Sequence, residues 1–260
     1  MKKLLLSSSI DPDLGKVVKI AKELNLGIEI SRLPKHIDID NCFNQVEDYL
    51  CENLSGFKNE ITMHGQFSDL NIASMDKEIK KISEKRYYQS LELAQCINAS
   101  TLLFHTNKKS TKHKGAQKKF DKNFLNFWQS FIKDIEKTKL TVVLENVHEK
   151  TPDFIKNVIQ EINSNQLKAS LDVGHVNVYS DIDVEIWLNE YKNILHHMHI
   201  HNNFGDDDSH NPINIGQLDF SKIVNTLKHN NLEPIIVFEV FNLNDLKTSL
   251  DFFNKCYASS

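Results

Sequence analysis

Six ionisable side chains stand at the ends of short apolar runs. His64 closes EITMH, His105 closes TLLFH, Glu145 closes TVVLE, Asp172 closes ASLD, His199 lies within HMHIH, and Glu239 closes IIVFE. Three carboxylates and three imidazoles gathered in one place are expensive to desolvate, and the carboxylates repel one another. Few lysines or arginines stand beside them to neutralise the charge. A bound divalent cation resolves the conflict. A mixed imidazole and carboxylate donor set suits Zn, Mn, Co or Fe better than Ca or Mg. A lone His or Asp at a strand end usually serves as a loop cap or hydrogen-bonding group. Six at successive strand ends form a constellation able to do metal chemistry. Two motifs extend it. LDVGHVN places His175 three residues after Asp172 across a glycine turn, and HNNFGDDDSHNP places Asp208 two residues before His210, so an extended loop aims both the same way. The three adjacent aspartates Asp206, Asp207 and Asp208 also read as a solvated acidic loop.

Only elements that bring strand ends together can make these residues one site. Apolar, β-rich runs predict strands over 3–7, 27–31, 60–64, 101–105, 141–145, 169–172, 197–201 and 235–239, with helical patterns between them. Strands alternating with helices imply βαβ units and a parallel sheet. An open nucleotide-binding sheet would carry a Gly-rich phosphate turn after its first strand, but the residues there are SSSIDPDLGK. The expectation is therefore an α/β protein with a single (β/α)8 TIM barrel over residues 1–260, a length typical of that fold. Alternation along a strand turns Val143 and Glu145 inward, and likewise His197, His199 and His201, while Met198 and Ile200 face the helices. The ionisable residues then converge on the barrel mouth, where barrel enzymes place their chemistry. Asp13, Asp76 and Asp219 precede amphipathic stretches as helix caps, and Pro152 opens another helix. Trp128 and Trp187 fall in helical segments and read as core or interface.

The totals narrow the class of protein. Eight Gly and five Pro are scattered along 260 residues without a linker, and 40% hydrophobic residues supply a sizeable core. A net charge of -4 argues against a dedicated nucleic-acid binder. The four cysteines, Cys42, Cys51, Cys96 and Cys256, contain no C-x2-C pair, so a reduced, cytoplasmic setting is the simpler expectation. MKKLLLSSSIDPD has too short an apolar run for a secretory signal, and no run reaches the length of a membrane span. The basic segment NKKSTKHKGAQKK follows the fourth strand. Its Lys108, Lys109, Lys112 and Lys114 fit steering of a phosphate group, and equally a solvated helix face.

The motifs GIEIS, MHGQFSDLNIAS, LLFHTN, VVLENVHE, LDVGH, HMHIHNNFGDDDSHNPINIGQLDF and IVFEV, in this order, resemble the xylose-isomerase-like TIM-barrel superfamily. That superfamily includes sugar and sugar-phosphate isomerases and epimerases as well as the endonuclease IV family. The isomerase and epimerase branch implies one divalent ion, Zn, Mn or Co, on Glu145, Asp172, His199 and Glu239. It implies proton transfer by Glu145 and Glu239 through a metal-stabilised enediolate, and substrate contacts from His175, Phe67, Lys108 and Lys109. The endonuclease branch implies up to three zinc ions, with His64, His105, His175, Asp208 and His210 as additional ligands, and a nucleic-acid substrate cut at abasic sites. SLDVGH, the short spacing from His199 to Asp208 and the lack of a G-x-H motif in the first strand depart from that branch. MHGQFSDLNIAS and INIGQLDF look more like the sugar enzymes. A metal-dependent isomerase or epimerase of a sugar or sugar phosphate is thus the leading expectation. A multi-zinc phosphodiesterase and a non-catalytic ligand-binding barrel are the alternatives.

Overall fold

Apolar residues at every second position let each short strand turn one face to the helices and the other to a common axis. In the computed structural model, which describes residues 3–108 and 113–259, the chain runs β1 (Leu4–Ser7), α1 (Leu14–Leu24), β2 (Gly27–Ile30), α2 (Phe43–Asn53), β3 (Ile61–His64), α3 (Lys77–Cys96), β4 (Thr101–His105), α4 (Lys114–Ile135) and β5 (Thr141–Glu145). It continues through α5 (Asp153–Ile162), β6 (Leu167–Asp172), α6 (Val173–Tyr179), α7 (Val184–Tyr191), β7 (Leu195–Ile200), α8 (Phe220–His229), β8 (Ile235–Phe238) and α9 (Leu243–Ser259). The strands pair in parallel in sequence order, and β8 closes on β1 to complete the barrel. The expected strands are all present, their ends shifted by at most two residues.

Local signals in the sequence set the helix starts. The side chains of Asp13, Asp76 and Asp219 each accept two backbone N–H bonds from the first turns of α1, α3 and α8, which satisfies donors the helix leaves unpaired. The basic stretch beginning at Lys114 is the first part of α4, with the His113 ring as its cap. Between helices and sheet lies the main core. Tyr87 stacks on Phe104 at 4.1 Å, and Trp128 and Phe131 pack edge-on around them. Both tryptophans are fully buried in this layer. Inside the barrel the apolar filling is thin: Leu5, Ile235 and Val237 form a small separate cluster, and polar side chains occupy the space above it.

Two features depart from the sequence reading. β7 carries an irregularity against β6: Ala169 is opposite Leu195, yet Ser170 is opposite His197, which makes His196 the extra residue. His196 reaches Thr101 Oγ1 at 3.1 Å near the start of β4, and burial lowers its pKa to about 4. A bulge of this kind re-aims the strand beyond it. The second departure concerns the cysteines. Cys51 of α2 and Cys96 of α3 form a disulfide, contrary to the expectation of reduced thiols. The two are 45 residues apart and meet only where α2 packs beside α3, a proximity that local spacing does not reveal. Among the described residues no helix is long and apolar enough to cross a membrane.

Trp128 fills the helix side of the barrel and touches nothing at the mouth. Trp128→Ala should lower unfolding free energy in urea by about 3–5 kcal/mol and leave the metal content of the folded protein unchanged.

Candidate metal centre

The strand ends and the loops that follow them enclose a cavity of about 580 Å³ at the C-terminal face of the barrel. Its walls include His64, His105, Glu145, His175, Asp208, His210 and Glu239. The residues expected from sequence meet in three overlapping groups. At the centre, His199 Nδ1 lies 2.7 Å from Glu145 Oε1, 3.1 Å from Glu239 Oε2 and 3.7 Å from Asp172 Oδ2. On one side, Glu145 Oε2 lies 2.9 Å from His105 Nε2 and 3.6 Å from His64 Nε2. On the other, Asp208 Oδ2 stands 3.2 Å from both His175 Nε2 and His210 Nε2. Glu145, Asp172, His199 and Glu239 offer donors all within 4.8 Å of one another, as do His64, His105 and Glu145, and also His201, His210 and Glu239.

The outer shell fixes which nitrogen each imidazole presents. Nδ1 of His64 lies 2.7 Å from the Gly65 carbonyl, Nδ1 of His175 lies 2.9 Å from that of Asn146, and Nδ1 of His210 lies 2.9 Å from that of Glu239. A carbonyl only accepts, so each Nδ1 carries the proton and Nε2 turns to the cavity. His199 is reversed. Its Nε2 meets Glu29 Oε1 at 2.6 Å and its Nδ1 faces the other ligands.

Whether a divalent cation fits these groups can be judged from the unmet donors. Glu145 Oε2 and Asp208 Oδ1 are buried without a hydrogen-bond partner. His105 Nε2 lies 2.9 Å from Glu145 Oε2 and 3.0 Å from His64 Nε2, so three candidate donors crowd one point. Buried carboxylate oxygens with no donor are costly. Here Glu145 Oε2 faces the ring nitrogens of His105 and His64, and Asp208 Oδ1 lies 3.7 Å from His201 Nε2, so the residues fit a metal ion of borderline character.

The same proximity sets the charges. Burial acts to raise the pKa of Glu145, Asp172 and Glu239, but neighbouring imidazolium groups override it and hold all three below the usual carboxylate range. For Asp208, burial is again outweighed, chiefly by the hydrogen bonds from His175 and His210. Burial acts to lower His199, His175 and His210, yet the facing carboxylates raise all three, His210 to about 9. His105 is the exception, since burial prevails and keeps it below its ordinary value.

Phe67 packs its ring on His64 and His105 at 4.8 and 4.6 Å and is 40% exposed to the cavity. Lys108 is turned elsewhere: it pairs with Asp121 at 2.9 Å and lies over the Phe154 ring at 3.5 Å, in a separate pocket between α4 and α5. Lys109 and Lys112 lie outside the described residues. The cations that do line the mouth cavity are Arg32, Lys35 and Arg86, none of them singled out in the sequence. Arg86 is committed to Asp40 through both nitrogens. Glu29, His197 and His201 were also missed as site residues. The signal for Glu29 was present in GIEIS, where a lone carboxylate stands between two isoleucines of an alternating strand.

A family model described as a xylose isomerase-like TIM barrel matches residues 27–256. Two uncharacterised proteins of Methanocaldococcus jannaschii are each 25% identical to the chain; the alignments cover 76% of this chain and 70% of one relative, and 96% and 97% for the other. Among solved structures, a D-tagatose 3-epimerase-like protein superposes with a TM-score of 0.84 at 23% identity over 100% of this chain and 98% of its own. A Thermus thermophilus protein soaked with ZnCl2 gives 0.81 at 20% identity, over 99% of each chain. An L-ribulose 3-epimerase gives 0.76 at 15% identity, over 100% of this chain and 95% of its own. These structures share the fold.

The charge pattern generates a pH prediction for chelator-treated protein. Raised imidazoles stabilise the fold fully below their ordinary pKa of 6.5, and that contribution disappears as pH rises through the folded values, about 9 for His210. Depressed carboxylates act oppositely: their contribution is present above about 4.5 and is lost as pH falls. The Tm of metal-free protein should therefore peak between about pH 5 and 6.5 and decline towards pH 9. Saturating zinc should abolish the alkaline decline, because a bound ion needs deprotonated imidazoles. Differential scanning fluorimetry across this range checks it; a flat metal-free profile from pH 6.5 to 9 would contradict the pairing.

Proposed function

The chain belongs to the xylose isomerase-like TIM barrel family, and on that premise we propose that it is a divalent-metal-dependent isomerase or epimerase of a sugar or sugar phosphate. The observation that carries the reading is the central group, in which two glutamates, Glu145 and Glu239, converge on His199 Nδ1 beside Asp172 at the floor of the cavity. The likeness to structures titled L-ribulose 3-epimerase, D-psicose 3-epimerase and 3-keto-D-glucoside 4-epimerase supports it.

Asp172, His199 and the two glutamates would hold the ion, with zinc, manganese or cobalt suited to the donors. Bound there, a divalent ion supplies Lewis acidity to the adjacent oxygens of a ketose or aldose. The proton chemistry belongs to the glutamates. Both are kept ionised, so either can begin as the base that takes a proton from the sugar carbon. Glu239 keeps 15% of its side chain exposed and Glu145 none, which gives the pair one member open to the cavity and one enclosed. The glutamate on the other face, or the same one, returns the proton. His175 would hold a substrate hydroxyl, and Phe67 would cover an apolar face of the sugar. No carboxylate among the described residues lies within 4.0 Å of Arg32 or Lys35 on the cavity wall. They are better placed than Lys108 to meet a phosphate.

A second reading, a multi-zinc phosphodiesterase resembling endonuclease IV, is favoured by one specific observation. The two oxygens of Glu145 face different donor groups, one towards His199 and the other towards His105 and His64. Asp208 similarly joins His175 and His210.

Elemental analysis of protein purified without added metal or chelator tests the reading. The expected result is one divalent ion per chain, with ketose or aldose isomerisation restored to stripped protein by Mn or Co. About three zinc ions with cleavage of abasic DNA would replace it by the second reading, and failure to take up any metal would overturn both. Under the isomerase reading, Glu145→Gln or Glu239→Gln should each reduce kcat by at least about 10²-fold, measured as turnover at saturating substrate.

A further inference from the structure

Glu29 forms a fourth donor group with His197 and His199 beneath the cavity wall, and it is fully buried in β2. Barrel interiors at this depth are usually filled by branched apolar side chains, and a carboxylate there costs several kcal/mol in lost hydration. Its surroundings are specific. Glu29 Oε1 lies 2.6 Å from His199 Nε2, while Oε2 accepts from Thr62 Oγ1 at 3.1 Å and stands 3.0 Å from His197 Nε2. His197 in turn meets Ser170 Oγ through Nδ1 at 2.9 Å. A polar chain thus crosses the barrel beneath the cavity, from β3 through β2 and β7 to β6.

The consequence lies in the orientation of one ring. His64, His175 and His210 are pinned through Nδ1 by backbone carbonyls and present Nε2. Among the described residues no carbonyl pins His199. A neutral imidazole has one N–H, and an ionised carboxylate can only accept, so Glu29 draws the proton to Nε2 and leaves the Nδ1 lone pair towards Glu145, Asp172 and Glu239. Thr62 donates to the carboxylate from behind, and the His197 ring stands beside the same oxygen. We infer that Glu29 is a positioning residue for the metal centre: it selects the Nδ1-presenting tautomer of His199 and strengthens that nitrogen as a ligand. A partner of this kind commonly changes metal affinity by about 10–100-fold. The inference rests on the central donor group, which both readings of the reaction share, and does not depend on which reaction is catalysed.

The test uses zinc affinity and stability rather than turnover. Glu29→Leu fills the same space without an acceptor, and Glu29→Gln keeps an acceptor oxygen while removing the charge. Competition against a fluorescent chelator should show zinc bound about 10–100-fold more weakly in Glu29→Leu, with Glu29→Gln intermediate. The Tm of metal-free Glu29→Leu should fall, because Thr62, His197 and His199 lose their buried carboxylate partner, and the discriminating readout is therefore the affinity of the folded fraction. A merely structural role would lower Tm and leave the affinity of the folded protein alone. Affinity within twofold of the parent in Glu29→Leu would overturn the inference. Nitrogen-15 NMR of the zinc-loaded parent protein decides the matter even where the leucine variant does not fold. His199 should carry its proton on Nε2, and a proton on Nδ1 would refute the role of Glu29. Absence of isomerase activity would bear on the proposed function alone and would leave these readouts intact.

Discussion

Buried charge must find a partner, and the architecture at the barrel mouth follows from that requirement. Glu29, Glu145 and Asp172 are wholly removed from solvent. In a chain stable by roughly 5–15 kcal/mol, several unpaired carboxylates would be intolerable, since each costs several kcal/mol. Every one of them faces imidazoles instead. The supply comes mainly from β7 and the residue just beyond it, where His197, His199 and His201 turn inward on alternate residues and are fully buried. Each belongs to a different layer: His197 serves Glu29 below, His199 sits between Glu29 and the centre, and His201 meets Asp172 above at 3.2 Å. The bulge at His196 separates these three from the lower barrel.

Holding so many rings at fixed distances demands backbone that tolerates close approach. A Cβ on Gly174 would lie 1.9 Å from His201 Cε1, so the glycine between Asp172 and His175 lets β6 turn into α6 directly over a histidine of β7. The β7–α8 loop is braced from within. Asn202 accepts from the backbone of Asn203 and Leu218 and donates to the carbonyls of Ile213 and Leu218. A Cβ on Gly216 (φ 151°) would collide with that asparagine. His210 itself adopts φ 48°, a left-handed conformation uncommon for a non-glycine residue. The bond from its Nδ1 to the Glu239 carbonyl ties the loop to the end of β8. Such backbone is tolerated where surrounding contacts fix it, commonly at functional sites.

The legibility of the sequence tracks the physical range of each signal. Strand alternation and helix caps act over two to four residues, and the strands and the caps at Asp13, Asp76 and Asp219 were readable for that reason. The candidate ligands could be gathered from sequence because parallel strands in a closed barrel all end on one face, so position along a strand translates directly into position in space. Glu29 escaped because a search of strand ends overlooks the layer beneath, although its isolation between Ile28 and Ile30 marked it as inward-facing. The Cys51–Cys96 disulfide and the pairing of Lys108 with Asp121 depend on how helices pack, and no short-range pattern carries that information. Lys108 was expected at the mouth for a similar reason, and it lies instead between α4 and α5. A dense lysine run is conspicuous in the sequence, whereas the isolated Arg32 and Lys35 are set at the mouth by the turn leaving β2.

Glu145 links the geometry to the chemistry more tightly than any other residue. A carboxylate has two oxygens, and here each is aimed at a different set of nitrogens, Oε1 at His199 and Oε2 at His105 and His64. With only the central group filled, Oε2 keeps its lone pairs and remains competent to accept a proton. Were the flanking group filled as well, both oxygens would serve as ligands, and Glu145 would no longer be available as a base. Glu239 would then be the one remaining glutamate with access to the cavity. Two adjacent ions are suited to hold the attacking and leaving oxygens of a displacement at phosphorus, whereas one ion beside a basic carboxylate is suited to move a proton at carbon. On the two proposed readings, proton transfer and phosphodiester hydrolysis would therefore be alternative uses of one constellation, separated by whether the His64–His105 side is occupied. His105 lies closer to Glu145 Oε2 than His64 does, and burial keeps its ring in the neutral, ligand-competent state. On the two readings proposed above, metal occupancy at this side, more than any difference in fold, would decide which reaction the barrel performs.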